Sequence, residues 1–324
     1  MRAVLCKEWG GTEKLVVEEA PALVAGPGQV VVSVQACGLN YADGLIIRGK
    51  YQEQPAFPFS PGVEAAGVVK SVGVGVTHLK PGMRAAVHPH YGAFAEEVVT
   101  EAHRIFPIPD SMDFATAAAF PIAYGTSYHA LKDRASLAKG ETLVVLGAAG
   151  GIGLTAVELG HAMGARVIAA ASTDEKLALC RKYGADDLIN YSREDIRQRL
   201  KELTNGRGPD VIYDPVGGPY TEPVLRSLAP HGRYLVLGFA AGDIPKIPLN
   251  LLLLKRISLV GAFWGSDIDQ FPAHHTQNVA ELFDLYVAGK LKPLISARYP
   301  LEKAGEAIDY LWARKAQGKV ILDV

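Results

Sequence analysis

The feature that most restricts how this chain can fold is a short apolar strand that runs into a glycine-rich turn and leaves as an apolar helix, Leu143-Val-Val-Leu-Gly147-Ala-Ala-Gly150-Gly151-Ile152-Gly153-Leu154. A strand that exits this way pairs with a parallel neighbour reached by a crossover helix. Further apolar strand-like runs stand at 142–147, 166–172, 187–190, 210–216, 233–238 and 257–262, separated by amphipathic stretches such as 152–163 and 175–183. That alternation predicts a doubly wound α/β domain of about six parallel strands, with any ligand at their carboxyl ends.

The turn itself carries chemistry. Small residues let the backbone approach a pyrophosphate, and Gly150, Gly151 and Ile152 stand at a helix start whose N–H groups and dipole favour an anion. Gly153 permits close helix-to-strand packing. The spacing departs from G-x-G-x-x-G because Gly147 is followed by two alanines, so the surrounding βαβ context carries the reading. A phosphate-transfer loop is excluded, since Gly49-Lys50, Gly289-Lys290 and Gly318-Lys319 are none of them followed by Ser or Thr, and no G-x-S-x-G nucleophile elbow occurs. Dinucleotide binding is the expectation.

The second strand ends at Ala171, where a fold of this type that prefers NAD carries Asp or Glu for the ribose hydroxyls. Ser172 and Glu175 have capping-box spacing, which predicts Ser172 as the helix cap and puts Asp174 in the first turn. Lys176 lies near that helix start, where the macrodipole disfavours a cation unless an anion is bound nearby. A 2′-phosphate is such an anion. Tyr191, after the third strand, is placed to pack on the adenine side, so NADPH is expected over NADH.

Outside this domain the texture is different. The first third is β-rich, with runs at 15–19, 30–34, 62–69 and 94–100 punctuated by Gly and Pro. After 293 come a strand-like 296–300, a helix and a closing strand at 319–324, expected to rejoin the N-terminal part. With 33 Lys+Arg against 34 Asp+Glu the net charge is −1, so no nucleic acid or anionic membrane partner is expected. Three cysteines spread far apart argue against a disulfide scaffold. Charge near the N-terminus and the lack of an apolar run of ~18 residues point to a cytoplasmic protein with no membrane span.

Seven stretches together carry a resemblance: Cys37-Gly-Leu-Asn40-Tyr-Ala-Asp43, Pro61-Gly-Val-Glu64-Ala-Ala-Gly67, Pro81-Gly-Met-Arg84, Gly92-Ala-Phe-Ala-Glu96, the 147–153 loop, Tyr213-Asp-Pro-Val-Gly-Gly218 and Gly318-Lys-Val-Ile-Leu322. The whole chain resembles the zinc-independent quinone oxidoreductase (zeta-crystallin-like) branch of the medium-chain dehydrogenase/reductase superfamily. The resemblance implies a Rossmann domain at 121–291, a GroES-like catalytic domain built from 1–120 and 292–324, and an active site in the cleft between them. Zinc alcohol dehydrogenases of the superfamily carry Cys and His where this chain has Asn40 and Val63, and the stretch matching their structural zinc lobe, 83–92, has no cysteine. His88 and His90 there read as loop residues, so no metal is expected.

Without a Lewis acid to hold an alkoxide, plain alcohol oxidation is disfavoured. The resemblance implies hydride transfer from NADPH to a quinone, with reduction of an activated C=C bond in an enoyl thioester, enone or haloacrylate as the alternative. A cofactor-binding protein that has lost turnover is a third class. By the same resemblance Asn40 and Asp43 lie beside the nicotinamide, Tyr41 lines that site, and Tyr51 matches a proposed proton donor. Thr126 and His129 are candidates to reach the nicotinamide or the phosphates, Gly238, Phe239, Phe263 and Trp264 to cover the ring, and Arg314 to contact a cofactor phosphate. The last strand of the sheet, at 257–262, has an apolar edge that suggests a homodimer.

Overall fold

The β-branched runs of the first hundred residues pair antiparallel. The computed structural model describes residues 1–324. Strands β1 (Arg2–Cys6) and β2 (Leu15–Glu19) form a ribbon. The ten-residue β3 (Gln29–Gly38) pairs with β4 (Ala65–Val72) and with β6 (Glu97–Glu101), and β5 (Arg84–Val87) and β7 (Ile105–Pro107) extend the sheet beyond β4. The short helix α1 (Tyr41–Ile46) leaves β3 after a two-residue link, and α2 (Phe114–Ala118) is capped by the Asp113 side chain, which accepts from the Thr116 N–H at 2.8 Å.

In the inserted segment, α3 (Pro121–Tyr128) leads into β8 (Thr142–Leu146), whose five residues are all buried. There follow α4 (Gly151–Ala162), β9 (Arg166–Ala171), α5 (Asp174–Lys182), β10 (Asp187–Asn190), α6 (Ile196–Leu203), β11 (Val211–Asp214), α7 (Thr221–Ser227), β12 (Arg233–Val236), α8 (Asn250–Lys255), β13 (Ser258–Gly261) and α9 (Trp264–Gln270). The six strands are all parallel in the order β10-β9-β8-β11-β12-β13. This is the doubly wound order, and it reverses direction between β8 and β11 at the carboxyl end where the glycine turn sits.

The tail consists of α10 (Pro272–Val287), β14 (Ile295–Pro300), α11 (Ala304–Trp312) and β15 (Lys319–Asp323). β15 pairs antiparallel with β3, so the C-terminus completes the N-terminal sheet. Val320 and Leu322 join Val30, Val32, Val34, Phe94 and Ile308 in one core. No helix is long and apolar enough to cross a membrane.

Contacts group the chain into two units, Met1–Ile122 with Ile268–Val324, and Ala123–Asp267. The reading from sequence gave 268–291 to the dinucleotide domain, but here these residues group with the first unit. The reason is side-chain packing: Phe283 stacks on Phe120 at 5.3 Å, His275 meets Phe106 edge-on at 4.9 Å, and Asp269 binds the buried Arg104.

Candidate functional site

In the Ala123–Asp267 unit the glycine turn has the geometry its composition asks for. Gly147 takes a φ of +58°, and a Cβ on Gly153 would run into the Gly147 carbonyl oxygen. The cap residue of α4 is Gly150, which offers no side chain to its N–H groups, and no acidic residue occupies the first turn. A twelve-residue helix therefore presents uncompensated donors and positive dipole at the carboxyl end of β8. A dinucleotide pyrophosphate fits that helix start in charge and in backbone access.

Three hydroxyls brace the turn from beneath. Ser127 Oγ lies 2.9 Å from the Ile152 carbonyl, 2.8 Å from Thr155 Oγ1 and 2.8 Å from Tyr213 OH, and Thr155 Oγ1 also donates to the Ala123 carbonyl at 2.9 Å. Sequence reasoning picked Thr126 and His129 from this helix, whereas Ser127 between them makes the contact with α4. Thr126 is half-buried. His129 corrects an expectation: its Nδ1 lies 3.0 Å from Asp133 and its Nε2 3.3 Å from Asp267, so both nitrogens of the buried ring face carboxylates and neither is spare for a phosphate.

At the far end of the pocket the cap is shifted by one residue from expectation. Thr173, not Ser172, accepts from the Lys176 N–H, at 3.3 Å, because the bend after β9 falls on Ser172. Asp174 does lie in the first turn of α5, where its Oδ1 accepts from Asn190 Nδ2 at 2.9 Å and from Arg193 at 2.8 Å. Arg193, two residues beyond Tyr191, thus pairs with a carboxylate in the same helical turn as Lys176, and it is a cation that the sequence reading passed over. Tyr191 packs on Tyr220 with centroids 4.6 Å apart and lines a cavity of about 730 Å³ with Arg197, Pro219, Arg226 and Lys246.

The turn after β11 is fixed by Asp214, whose Oδ1 accepts the Val216 and Gly217 N–H groups at 2.7 and 2.9 Å while its Oδ2 accepts from the Tyr234 hydroxyl. Phe239, partly exposed, follows β12 beside Gly217, and Gly238 lies close to the Pro215 carbonyl. Trp264 is 5 % exposed and its ring fills the space left by Gly125, which spends it on packing, while Phe263 stays 53 % exposed.

In the other unit the candidates cluster around α1. Asp43 is fully buried; its Oδ2 accepts the Asn40 N–H at 2.7 Å and its Oδ1 has no partner. Burial lifts this carboxyl to about 7 against the opposing pull of the Asn40 N–H and Lys319, and Glu64 adds to the rise. The Asn40 side chain donates to Glu64 Oε1 at 2.8 Å and accepts from Lys319 Nζ at 2.8 Å. Tyr41 stacks on Trp312 at 4.8 Å, and Arg48 covers the same indole at 4.1 Å. Burial, then Glu53 and Asp43, raise the Tyr51 hydroxyl above its ordinary value, which makes it a weaker acid than a free tyrosine. Arg314 is exposed at the left-handed end of α11.

A zinc ion does not fit here. Val63 is a core side chain, Asn40 spends its oxygen on an ammonium, and that ammonium would repel a second cation. His88 Nδ1 is bonded to the Val63 carbonyl, and burial depresses its ring to about 3; His90 Nδ1 bonds Glu53 at 2.9 Å. No group of three His, Cys, Asp or Glu side chains converges anywhere.

Comparison with known proteins agrees in both units. Residues 26–110 match the alcohol dehydrogenase GroES-like domain family, and residues 151–282 match a family described as zinc-binding dehydrogenase. A quinone oxidoreductase-like protein 2 homolog from Nematostella vectensis is 43% identical across 99% of this chain and 88% of its own length. The chain belongs to the quinone oxidoreductase family. Solved relatives of the family superpose over the full length: quinone oxidoreductase from Pseudomonas syringae at 33% identity and TM-score 0.94, covering 100% of this chain and 99% of that one, and the Escherichia coli quinone oxidoreductase complexed with NADPH at 31% and 0.93, covering 100% of both. Within this family member the Lys319–Glu64–Asn40 contact is the part of the site that sequence reasoning missed altogether. Lys319 and Glu64 were visible only as members of matching stretches, with no spacing to connect them.

Proposed function

We propose that the protein is an NADPH-dependent quinone oxidoreductase that works without a metal. The observation that carries the reading is the uncapped, acid-free start of α4 at the switch point of the sheet, in a chain that matches an NADPH-bound quinone oxidoreductase from end to end. Bound NADPH supplies a hydride which, with one proton, converts a quinone to a hydroquinone. The chain's own residues bind and orient. Gly150, Gly151 and Ile152 receive the pyrophosphate, Lys176 and Arg193 the 2′-phosphate, and Tyr191 the adenine. Thr126, Gly238, Phe239 and the exposed Phe263 line the nicotinamide end, and Arg314 adds a cation. Asn40, Asp43, Tyr41 and Tyr51 form the acceptor side. A quinone already accepts hydride readily, so positioning serves where a Lewis acid would otherwise be needed.

The raised Tyr51 hydroxyl weighs against the alternative, because reduction of an enoyl thioester needs a proton delivered to carbon and Tyr51 is the residue nominated for it. The deciding assay follows NADPH and NADH consumption with 1,4-benzoquinone and 9,10-phenanthrenequinone beside crotonyl-CoA and an enone. Quinone turnover with NADPH preferred is expected; turnover of the thioester or enone alone, or preference for NADH, overturns the reading.

A cytoplasmic homodimer completes the proposal. β13 is an edge strand, and the neighbouring α8 leaves Leu253 and Leu254 78 % and 72 % exposed, an apolar surface suited to a second copy. Light scattering on the purified protein should give twice the chain mass, and Leu253→Glu with Leu254→Glu should give the chain mass.

A further inference from the structure

Four segments far apart in the chain meet at one buried carboxylate. Glu64 Oε1 accepts from Lys319 Nζ and from Asn40 Nδ2, and Glu64 Oε2 accepts the Ile122 N–H at 3.0 Å. Lys319 is 5 % exposed and Glu64 0 %. The ammonium has three hydrogens, and its acceptors are Glu64, the Leu39 carbonyl at 2.9 Å and Asn40 Oδ1 at 2.8 Å. No donor of Lys319 remains for a ligand.

A buried ion pair of this kind is a poor source of stability, since desolvation cancels most of the attraction. It does impose an orientation. Lysine has only donors and an ionised glutamate only acceptors, so the Asn40 amide, set between them, can face one way: oxygen to Lys319, nitrogen to Glu64. The second amide hydrogen faces the Gly38 carbonyl at 3.4 Å, at the outer limit of a hydrogen bond, and Asn40 is only half-buried. That hydrogen, held only by this long contact, is the one Asn40 can share between the Gly38 carbonyl and a ligand. A cation on the amide oxygen makes the amide N–H a stronger donor.

We propose that Lys319 is a positioning residue: it locks and polarises the Asn40 carboxamide so that its remaining N–H is preset for the acceptor oxygen that gains charge during reduction. This rests on the function proposed above. Two-electron reduction places negative charge on a quinone oxygen until a proton arrives, and a donor held within reach of that oxygen lowers the barrier because little reorganisation is needed.

The test uses two neutral replacements of the pair in the full chain. Glu64→Gln with Lys319→Met removes the donor to Asn40 Oδ1, whereas Glu64→Gln with Lys319→Gln keeps a donor there without the charge. The first should lower kcat for benzoquinone on the order of 10- to 100-fold. The NADPH dissociation constant by calorimetry should stay within about twofold, because the lock acts on the acceptor side. The second should recover a large part of the loss, and adding Asn40→Ala to the first should cost nothing more. Equal loss in both variants, full kcat in the folded first variant, or an Asn40→Ala effect that multiplies with it overturns the proposal. Should the first variant not fold, the second against wild type with and without Asn40→Ala gives the same cycle. Wild-type protein that binds NADPH but reduces no quinone sinks the functional reading instead. The lock itself is then read from the Asn40 side-chain amide resonances: slow exchange in wild type and fast exchange in the Lys319→Met pair are expected, and identical exchange in the two overturns it.

Discussion

Asp43 shows how one residue couples site chemistry to stability. An ordinary aspartate titrates near 3.9, and burial holds this one at about 7, so between those values the folded state binds a proton that the unfolded chain has released. The contribution of this one group to stability is therefore full below about pH 4 and is lost as pH rises through 7. Asp43→Asn keeps an acceptor for the Asn40 N–H and removes the titration. In urea melts across pH it should match wild type below about pH 4 and exceed it above pH 7, by at most about 4 kcal/mol. A parallel offset at all pH values would show that burial leaves the Asp43 carboxyl titrating as it does in the unfolded chain. Lys176 and Arg193 make a second residue-scale prediction: each Ala variant should lower kcat/KM for NADPH roughly 10-fold and leave NADH within about twofold, since only a phosphate needs the cations. Lys176 could be nominated from the sequence because a lysine in a first helical turn wants an anion. Arg193 could not, because its partnership with Asp174 joins the turn after one strand to the helix start after another.

Elements were easier to read than their ends. The alternation of buried runs identified every strand of the parallel sheet, and the glycine turn lay where a strand must hand over to a helix. The cap of α5 slipped by one because Ser172 and Thr173 are both competent caps and only the pairing of Ala171 with Asn190 decides where β9 stops. Thr173→Ala should therefore cost about 1 kcal/mol in chemical denaturation and Ser172→Ala only a few tenths. The reverse order would return the cap to Ser172. The tail also read correctly as rejoining the first sheet, since a strand-like 319–324 at a chain end needs a partner. What the pattern of α10 could not tell was its partner, because an amphipathic face records that it is buried and not against what.

Across the whole molecule, that misassigned segment is held to the first unit by a charge that sequence alone gives no reason to suspect. Arg104 is 1 % exposed, donates to the His88 carbonyl at 3.0 Å, and forks onto Asp269 at 3.0 and 2.5 Å; His103 approaches the same carboxylate at 2.9 Å. Burial pushes the Asp269 carboxyl up, but Arg104 and then His103 pull it down harder, to about 2. A depressed carboxylate contributes stability that is present above about pH 4 and is lost as pH falls through about 2. Asp269→Asn leaves the guanidinium buried with a weaker partner, which should cost about 2 kcal/mol at pH 7, with the deficit shrinking as the pH falls toward 2. The loss belongs to the unit built from Met1–Ile122 and Ile268–Val324, whereas the glycine turn belongs to Ala123–Asp267. Calorimetric scans of the variant should show the first unit melting at lower temperature while NADPH titration at 15 °C gives an unchanged dissociation constant. A variant that loses NADPH affinity in proportion to its stability would mean that the two units unfold as one, and that this ion pair guards the cofactor site as much as the sheet it closes.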